Sequence, residues 1–170
     1  AGNKYKAIYT IEPDHTNFDI LGARLKDIPN AATIKCALSD KNSKGRFYQG
    51  FGFASKLCKS GGDSVKTITL DSLKIPATFI KMHLEGGELN ALRGAVNTIQ
   101  KYHPIVAITI YHNSDGVWKI PLFLMDNAKN YEYYIRLHSW AGTGAVFYAV
   151  PRERSHATKF KSSSVAGFKI

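Results

Sequence analysis

Apolar residues along this chain fall in short blocks whose period switches between two and nearly four, which predicts strands alternating with helices. The clearest case runs from Pro76 to Tyr111. Ala77 to Leu84 is a short apolar run with a proline before it and Gly86-Gly87 soon after it, the pattern of a buried parallel strand. Leu89, Leu92, Val96, Ile99 and Tyr102 follow at spacings of three and four, one face of a helix. Pro104 ends that helix, and Ile105 to Ile110 reads as a second buried strand. The block is a β-α-β unit. It sets His83, Glu85 and Glu88 at the carboxyl end of its first strand, the rim where open α/β sheets bind ligands.

A similar unit comes earlier. Tyr5 to Ile11 reads as a strand ending at Glu12, Thr33 to Leu38 as the next strand, and the helix between them carries Phe18, Leu21, Leu25 and Ile28 on its inner face. Asp14 or Thr16 can cap that helix. Two such units predict an α/β fold with a doubly wound, mostly parallel sheet. Asp40 to Asp63 interleaves five glycines with Phe47, Tyr48, Phe51 and Phe53, which predicts a glycine-rich loop or hairpin with exposed aromatics. Val65 to Leu70 alternates as an edge strand, and Trp118 to Ala128 reads as a short helix. Tyr131 to His138 and Gly144 to Val150 read as an antiparallel pair at the C-terminal end of the sheet. Residues 1–151 then form one domain. Residues 152–170 set Arg152, Arg154, Lys159, Lys161 and Lys169 against one acid, Glu153, and read as a loosely held basic tail.

Composition narrows this picture. A 170-residue chain that is 44% apolar can bury a core in one domain. No apolar run approaches the roughly 20 residues of a membrane span, and no signal peptide is visible. Cys36 and Cys58 do not make a disulfide framework, and Cys36 reads as a small buried hydrophobe. A cytoplasmic location is the default expectation. A net charge of +10 points to an anionic ligand or partner, or to a solvated basic surface.

Several polar residues are placed to do chemistry. Glu12 ends a strand ahead of a helix, where in nucleotide-binding α/β folds a carboxylate accepts hydrogen bonds from ribose hydroxyls; capping or surface exposure is the alternative. Ser39-Asp40 ends the next strand at the same rim, where a short polar side chain can reach an adenine amino group, or where Asp40 simply starts a turn. His83 and Glu85 fall on one side of their strand by alternation and suit acid/base work or a hard cation. Glu88 stands at a helix start. Tyr111, His112 and His138 lie beyond strand ends and can meet the same cleft, His112 as a base near neutral pH. His15 and His103 read as surface residues.

Six segments, in order, resemble the FkbM-type methyltransferases: Ile11 to Leu21, Ala37 to Asn42, Thr69 to Leu73, Phe79 to Glu88, Tyr111-His112, and Tyr134 to Ser139. The resemblance implies a Rossmann-like fold of the class I methyltransferase type, with S-adenosylmethionine as cofactor. It implies Glu12 at the cofactor's ribose and Ser39-Asp40 near its adenine. The expected activity is O-methylation of a hydroxyl on a sugar, another glycan or a small metabolite. His83, Glu85 and His112 are the candidate catalytic groups, and Glu88, Tyr111 and His138 the candidate substrate contacts; no metal is assigned. His83 stands where the family usually has Asp. The chain opens at what reads as the family's second strand, with no glycine-rich loop before Glu12. The strands ending at Glu12 and Leu84 are therefore expected to face a gap, to be filled by an upstream segment, closed up, or paired with another copy, a possible homo-oligomer. These 170 residues alone would then bind the cofactor weakly or not at all. Two other readings compete: a catalytically inactive fragment or paralogue of the fold, and a basic nucleic-acid-binding module using the tail and the aromatic loop. The spread of the lysines argues against nucleic acid.

Overall fold

The computed structural model describes residues 5–139 and 144–155. In chain order the strands and helices are β1 (Ile8–Ile11), α1 (His15–Leu25), β2 (Ala31–Ile34), β3 (Ala37–Leu38), β4 (Ser43–Tyr48), β5 (Lys56–Cys58) and β6 (Asp63–Ile68). There follow β7 (Phe79–Met82), α2 (Glu88–Arg93), α3 (Val96–Tyr102), β8 (Ile105–Thr109), α4 (Gly116–Asn127), β9 (Tyr131–Leu137), β10 (Ala145–Pro151) and α5 (Arg152–Ser155). No helix among the described residues is long and apolar enough to cross a membrane.

Both β-α-β units form, but not as one doubly wound parallel sheet. The strands make three separate ladders: β1-β2, β3-β6-β4-β5, and β7-β8-β10-β9. Parallel pairing joins β1 to β2, β3 to β6 and β7 to β8, while β4-β5, β4-β6, β8-β10 and β9-β10 are antiparallel. The sheets are therefore mixed. The anticipated strand from Thr33 to Leu38 is cut at Lys35, where the Cys36 N–H bonds back to the Ile34 carbonyl at 3.1 Å and the chain leaves one ladder for another. Val65 to Leu70 is no edge: β6 lies between β3 and β4. The glycine-rich stretch is a hairpin of β4 and β5, with Phe51 exposed as expected but Phe47 turned into the interior.

The single helix anticipated from Leu89 to Tyr102 is two helices, broken at Gly94-Ala95. A Cβ on Gly94 would stand 2.1 Å from the Ser39 carbonyl oxygen, so only glycine lets α2 run this close to β3. Beyond the break Asp71 receives the new helix start. Its carboxylate accepts from the N–H groups of Asn97 and Thr98 and from the Thr98 hydroxyl, at 3.1, 2.7 and 2.7 Å. Helix α1 is capped by Asp14, which accepts from the Asn17 N–H.

One core unites these pieces. Ile80 and Met82 of β7, Val106 and Ile108 of β8, and Phe147 of β10 pack with Leu92, Ile99 and Leu124 of the helices, and Leu38 and Ile68 join them. The helices cover one face of the β7-β8-β10-β9 sheet. On the other face Phe79 is 58% exposed. The expectation that β7 is a buried strand holds for one face only: its burial alternates, with Ile80 and Met82 inside and Phe79 and Lys81 outside. The two strands expected to face a gap do not pair with each other. Among the described residues β1 pairs only with β2 and β7 only with β8, and the two strands do not close up. Cys36 is buried and unpaired, its thiol pushed up by burial. Of the expected basic tail, Arg152 to Ser155 form α5; residues 156–170 lie outside the described residues.

Candidate functional site

Two clefts open beside the carboxyl end of β7. The first, of about 380 Å³, is walled by Glu12 at the end of β1, the Cys36–Leu38 segment, Phe47, and then Lys81, His83 and Glu85. It occupies the interval between the unpaired edges of β1 and β7. The second, of about 370 Å³, lies on the uncovered face of the sheet. It is lined by Tyr111, His138 and Tyr148 and shares Lys81 and His83 with the first. His83 therefore borders both clefts.

The polar cluster at His83 is built around a turn. The strand ends at Met82, so simple alternation does not carry Glu85 to His83. Leu84 to Gly87 form a tight turn closed by a 3.1 Å bond from the Gly87 N–H to the Leu84 carbonyl. Glu85 and Gly86 sit there at φ +50° and +101°, the pattern of a type I′ turn. Gly86 adopts this conformation freely, while a glutamate there is strained, a feature that clusters at functional sites. The turn folds Glu85 back so that its Oε1 lies 3.1 Å from His83 Nε2 and 3.3 Å from His112 Nε2.

Glu88, the first residue of α2, anchors the cluster from beneath. Its Oε1 accepts from the Leu84 N–H, the Thr109 hydroxyl and His112 Nδ1 at 2.9, 2.8 and 2.6 Å, and its Oε2 from the Gly86 N–H at 2.9 Å. Burial pushes this carboxyl up, but the hydrogen bonds from Leu84, its own N–H, Thr109 and His112 more than offset it and hold it below the usual glutamate range. The Glu88 carboxylate is thus ionised and committed to the protein, with 2% of its side chain exposed. Tyr111 packs on His112 with ring centroids 4.4 Å apart, and His83 lies 4.8 Å from His112 on another side.

The remaining expected residues distribute around these clefts. Glu12 lines the first; its Oε1 accepts from the Asp14 N–H at 2.8 Å, and burial raises its pKa. Ser39 is nearly buried at the end of β3 and donates to Asp40 at 3.1 Å, while Asp40 is exposed; neither lines the first cleft, though Leu38 before them does. His138 lies on the second cleft, 2.8 Å from the Tyr148 hydroxyl, and does not reach the His83–Glu85–His112 cluster. His15 and His103 are at the surface, paired with Asp19 and Glu153.

Sequence reasoning missed three groups. Lys81 lines both clefts, and period-two alternation from His83 could have found it. Thr109 supports Glu88 from the neighbouring strand. Asp14 holds the hairpin: beyond capping α1 it accepts from the Gly50 N–H and the Ser55 hydroxyl at 2.8 and 3.0 Å. Those bonds hold the Asp14 carboxyl low despite its burial. No local pattern announces a contact spanning 36 residues.

The chain is an α/β protein with a cleft beside the carboxyl ends of β1 and β7, the rim at which open α/β sheets bind ligands. Comparison makes it specific. The model of the FkbM methyltransferase domain matches residues 1–135, and the chain belongs to that family. A search of curated proteins finds no match. Among solved structures, the crystal structure of the methyltransferase FkbM from Methylobacillus flagellatus KT superposes with a TM-score of 0.71 at 24% identity. The match covers 86% of this chain and 37% of that one, so the present chain spans little more than a third of that protein's length.

Proposed function

We propose that this chain uses S-adenosylmethionine to methylate a hydroxyl of a sugar or another small metabolite. The observation that carries the reading is that His83 borders two clefts, one walled by Glu12 and the other by Tyr111 and His138. A group-transfer site needs two compartments that touch where the group crosses.

The first cleft suits a nucleoside. Its volume of about 380 Å³ is within the range of small-molecule sites. Its walls are apolar at Ile11, Leu38 and Phe47. Glu12 keeps one carboxylate oxygen for a ribose hydroxyl after the other has met Asp14, and the Ser39-Asp40 pair lies one step beyond Leu38 for an adenine edge. The cofactor supplies a methyl already activated on a sulfonium. The chain's own residues have the smaller tasks of aligning the acceptor and taking its proton. His83, Glu85 and His112 are the groups of this cluster able to bind and deprotonate a hydroxyl, and Glu88 positions His112. Tyr111 and His138 offer hydrogen bonds to an acceptor in the second cleft.

Calorimetric titration with S-adenosylhomocysteine tests the reading. Saturable binding is expected, weakened by about 1–3 kcal/mol in Glu12→Ala, the usual cost of losing a charged hydrogen-bond partner. Binding that is absent, or unchanged in Glu12→Ala, would remove the cofactor from this cleft.

A further inference from the structure

We propose that His83 Nε2, Glu85 Oε1 and His112 Nε2 form a binding site for one divalent first-row transition-metal ion, of the zinc, cobalt or iron(II) class. The spacing supports it first. Glu85 Oε1 lies 3.1 Å from one imidazole nitrogen and 3.3 Å from the other, and three donor atoms of this cluster fall within 4.8 Å of one another. Nitrogen and oxygen ligands bound to zinc at about 2.0–2.2 Å stand roughly 3.0–3.5 Å apart, so the two shorter separations are already those of ligands sharing an ion.

The tautomer of His112 supports it independently. Glu88 accepts from the Leu84 and Gly86 N–H groups and the Thr109 hydroxyl and lies 2.6 Å from His112 Nδ1, so it is the acceptor there too and the ring proton resides on Nδ1. A neutral His112 then aims the Nε2 lone pair at the Glu85 carboxylate 3.3 Å away. Two lone pairs do not face one another in a stable site without a positive charge between them. Either a proton or a metal cation supplies it.

The support beneath the ring favours a metal. A histidine ligand commonly donates its other N–H to a carboxylate, which fixes the ring and strengthens its basicity. Glu88 does this for His112, and Thr109 and two backbone N–H groups hold Glu88. The Glu85 turn is strained into place, and His83 is open enough, at 39% side-chain exposure, to leave coordination positions for water or substrate. Two imidazoles with one carboxylate prefer borderline transition metals over magnesium or calcium, which seek oxygen. Resting on the methyltransferase reading, an ion here would bind the acceptor oxygen and lower its pKa, so that its proton passes to water in the open cleft as the oxygen takes the methyl group. His83, Glu85 and His112 would then act as ligands rather than as the base.

The test uses the metal alone. The full chain is stripped with chelator and titrated with cobalt(II), followed by its visible ligand-field absorption, and zinc(II) is then added. Saturation at one cobalt per chain, displaced by zinc, is expected. His83→Asn and His112→Ala should each abolish it, Glu88→Gln should weaken it about 10–100-fold as loss of a supporting carboxylate does, and His15→Ala should leave it intact. If His112→Ala fails to fold, His83→Asn, at an accessible ring, decides alone. No ligand-field absorption, or undiminished binding in His83→Asn, would show that a shared proton holds the cluster together. Binding of S-adenosylhomocysteine to metal-free protein is read separately, so either proposal can fail without the other.

Discussion

Glu88 Oε1 lies 2.6 Å from His112 Nδ1, with the two side chains only 2% and 9% exposed. A carboxylate and an imidazole this close and this buried behave as one unit. The carboxylate fixes the ring's tautomer, and the ring satisfies the carboxylate. Because Glu88 also ties Leu84 and Gly86 to the start of α2, the same group holds the strained Glu85 turn in shape.

The first prediction concerns acid stability. Folding holds the Glu88 carboxyl below its ordinary value of 4.5, so as pH falls the unfolded chain takes up this proton first. The Glu88 contribution is complete above that value and is lost as pH drops through the lower folded pKa. Glu88→Gln, which sets an amide N–H against an existing donor, should cost about 1–3 kcal/mol at neutral pH. The gap from wild type should narrow below pH 4.5. Urea unfolding across that range measures both, and a gap independent of pH would show that the carboxylate's charge is not what matters.

The second prediction concerns Gly94. Its φ is ordinary for any residue, so the restriction is purely steric: an added Cβ would press on the Ser39 carbonyl. Backbone cannot swing aside as a side chain can. Gly94→Ala should destabilise by about 1–3 kcal/mol or more, the range for overpacked sites, and should displace Ser39, the neighbour of Leu38 in the wall of the first cleft. A thermal melt indistinguishable from wild type would mean that α2 slides freely over β3.

Asp71 gives the third. It caps α3 from outside the helix, accepting two N–H groups and a hydroxyl. Asp71→Ala should lower stability by about 0.5–2 kcal/mol, the cost of losing a cap. Cofactor binding should change little, since Asp71 touches neither cleft. A loss of binding larger than the loss of stability would place Asp71 in the site's own support.

How far the sequence foretold this arrangement follows from the range of each interaction. The blocks around β7, α2 and β8 were legible because burial imposes a local period, and so was the rim carrying Glu12, His83 and Glu85. The break at Gly94 was not, because the cause is a carbonyl at Ser39, distant in sequence. Pairing order was also hidden: β6 alternates as an edge strand would, yet it lies inside its sheet because β3 and β4 happen to flank it. Glu85 was correctly brought to His83 for the wrong reason, by a turn with two positive φ values rather than by strand alternation. Glu88 read as a helix-start acid, and only the fold reveals that Thr109 and His112 converge on it.

The last prediction follows from Asp14. Its buried carboxylate joins two segments through three bonds: it caps α1 at the Asn17 N–H, and it holds the hairpin through the Gly50 N–H and the Ser55 hydroxyl. Gly52 and Ser55 line the first cleft, so one side chain fixes the distance between the Glu12 rim and the loop facing it. Asp14→Ala removes all three bonds and leaves their partly exposed donors to water, which should cost about 1–2 kcal/mol. Asp14→Asn keeps one acceptor oxygen and should cost less. If the loop bounds the cofactor space, S-adenosylhomocysteine should dissociate faster from Asp14→Ala with its association rate little changed, since a slackened wall releases a ligand more readily than it obstructs entry. Stopped-flow binding on the variant, at a temperature where it remains folded, separates the two rates. Equal dissociation rates for variant and wild type would show that the hairpin stands by the cleft without closing on its ligand.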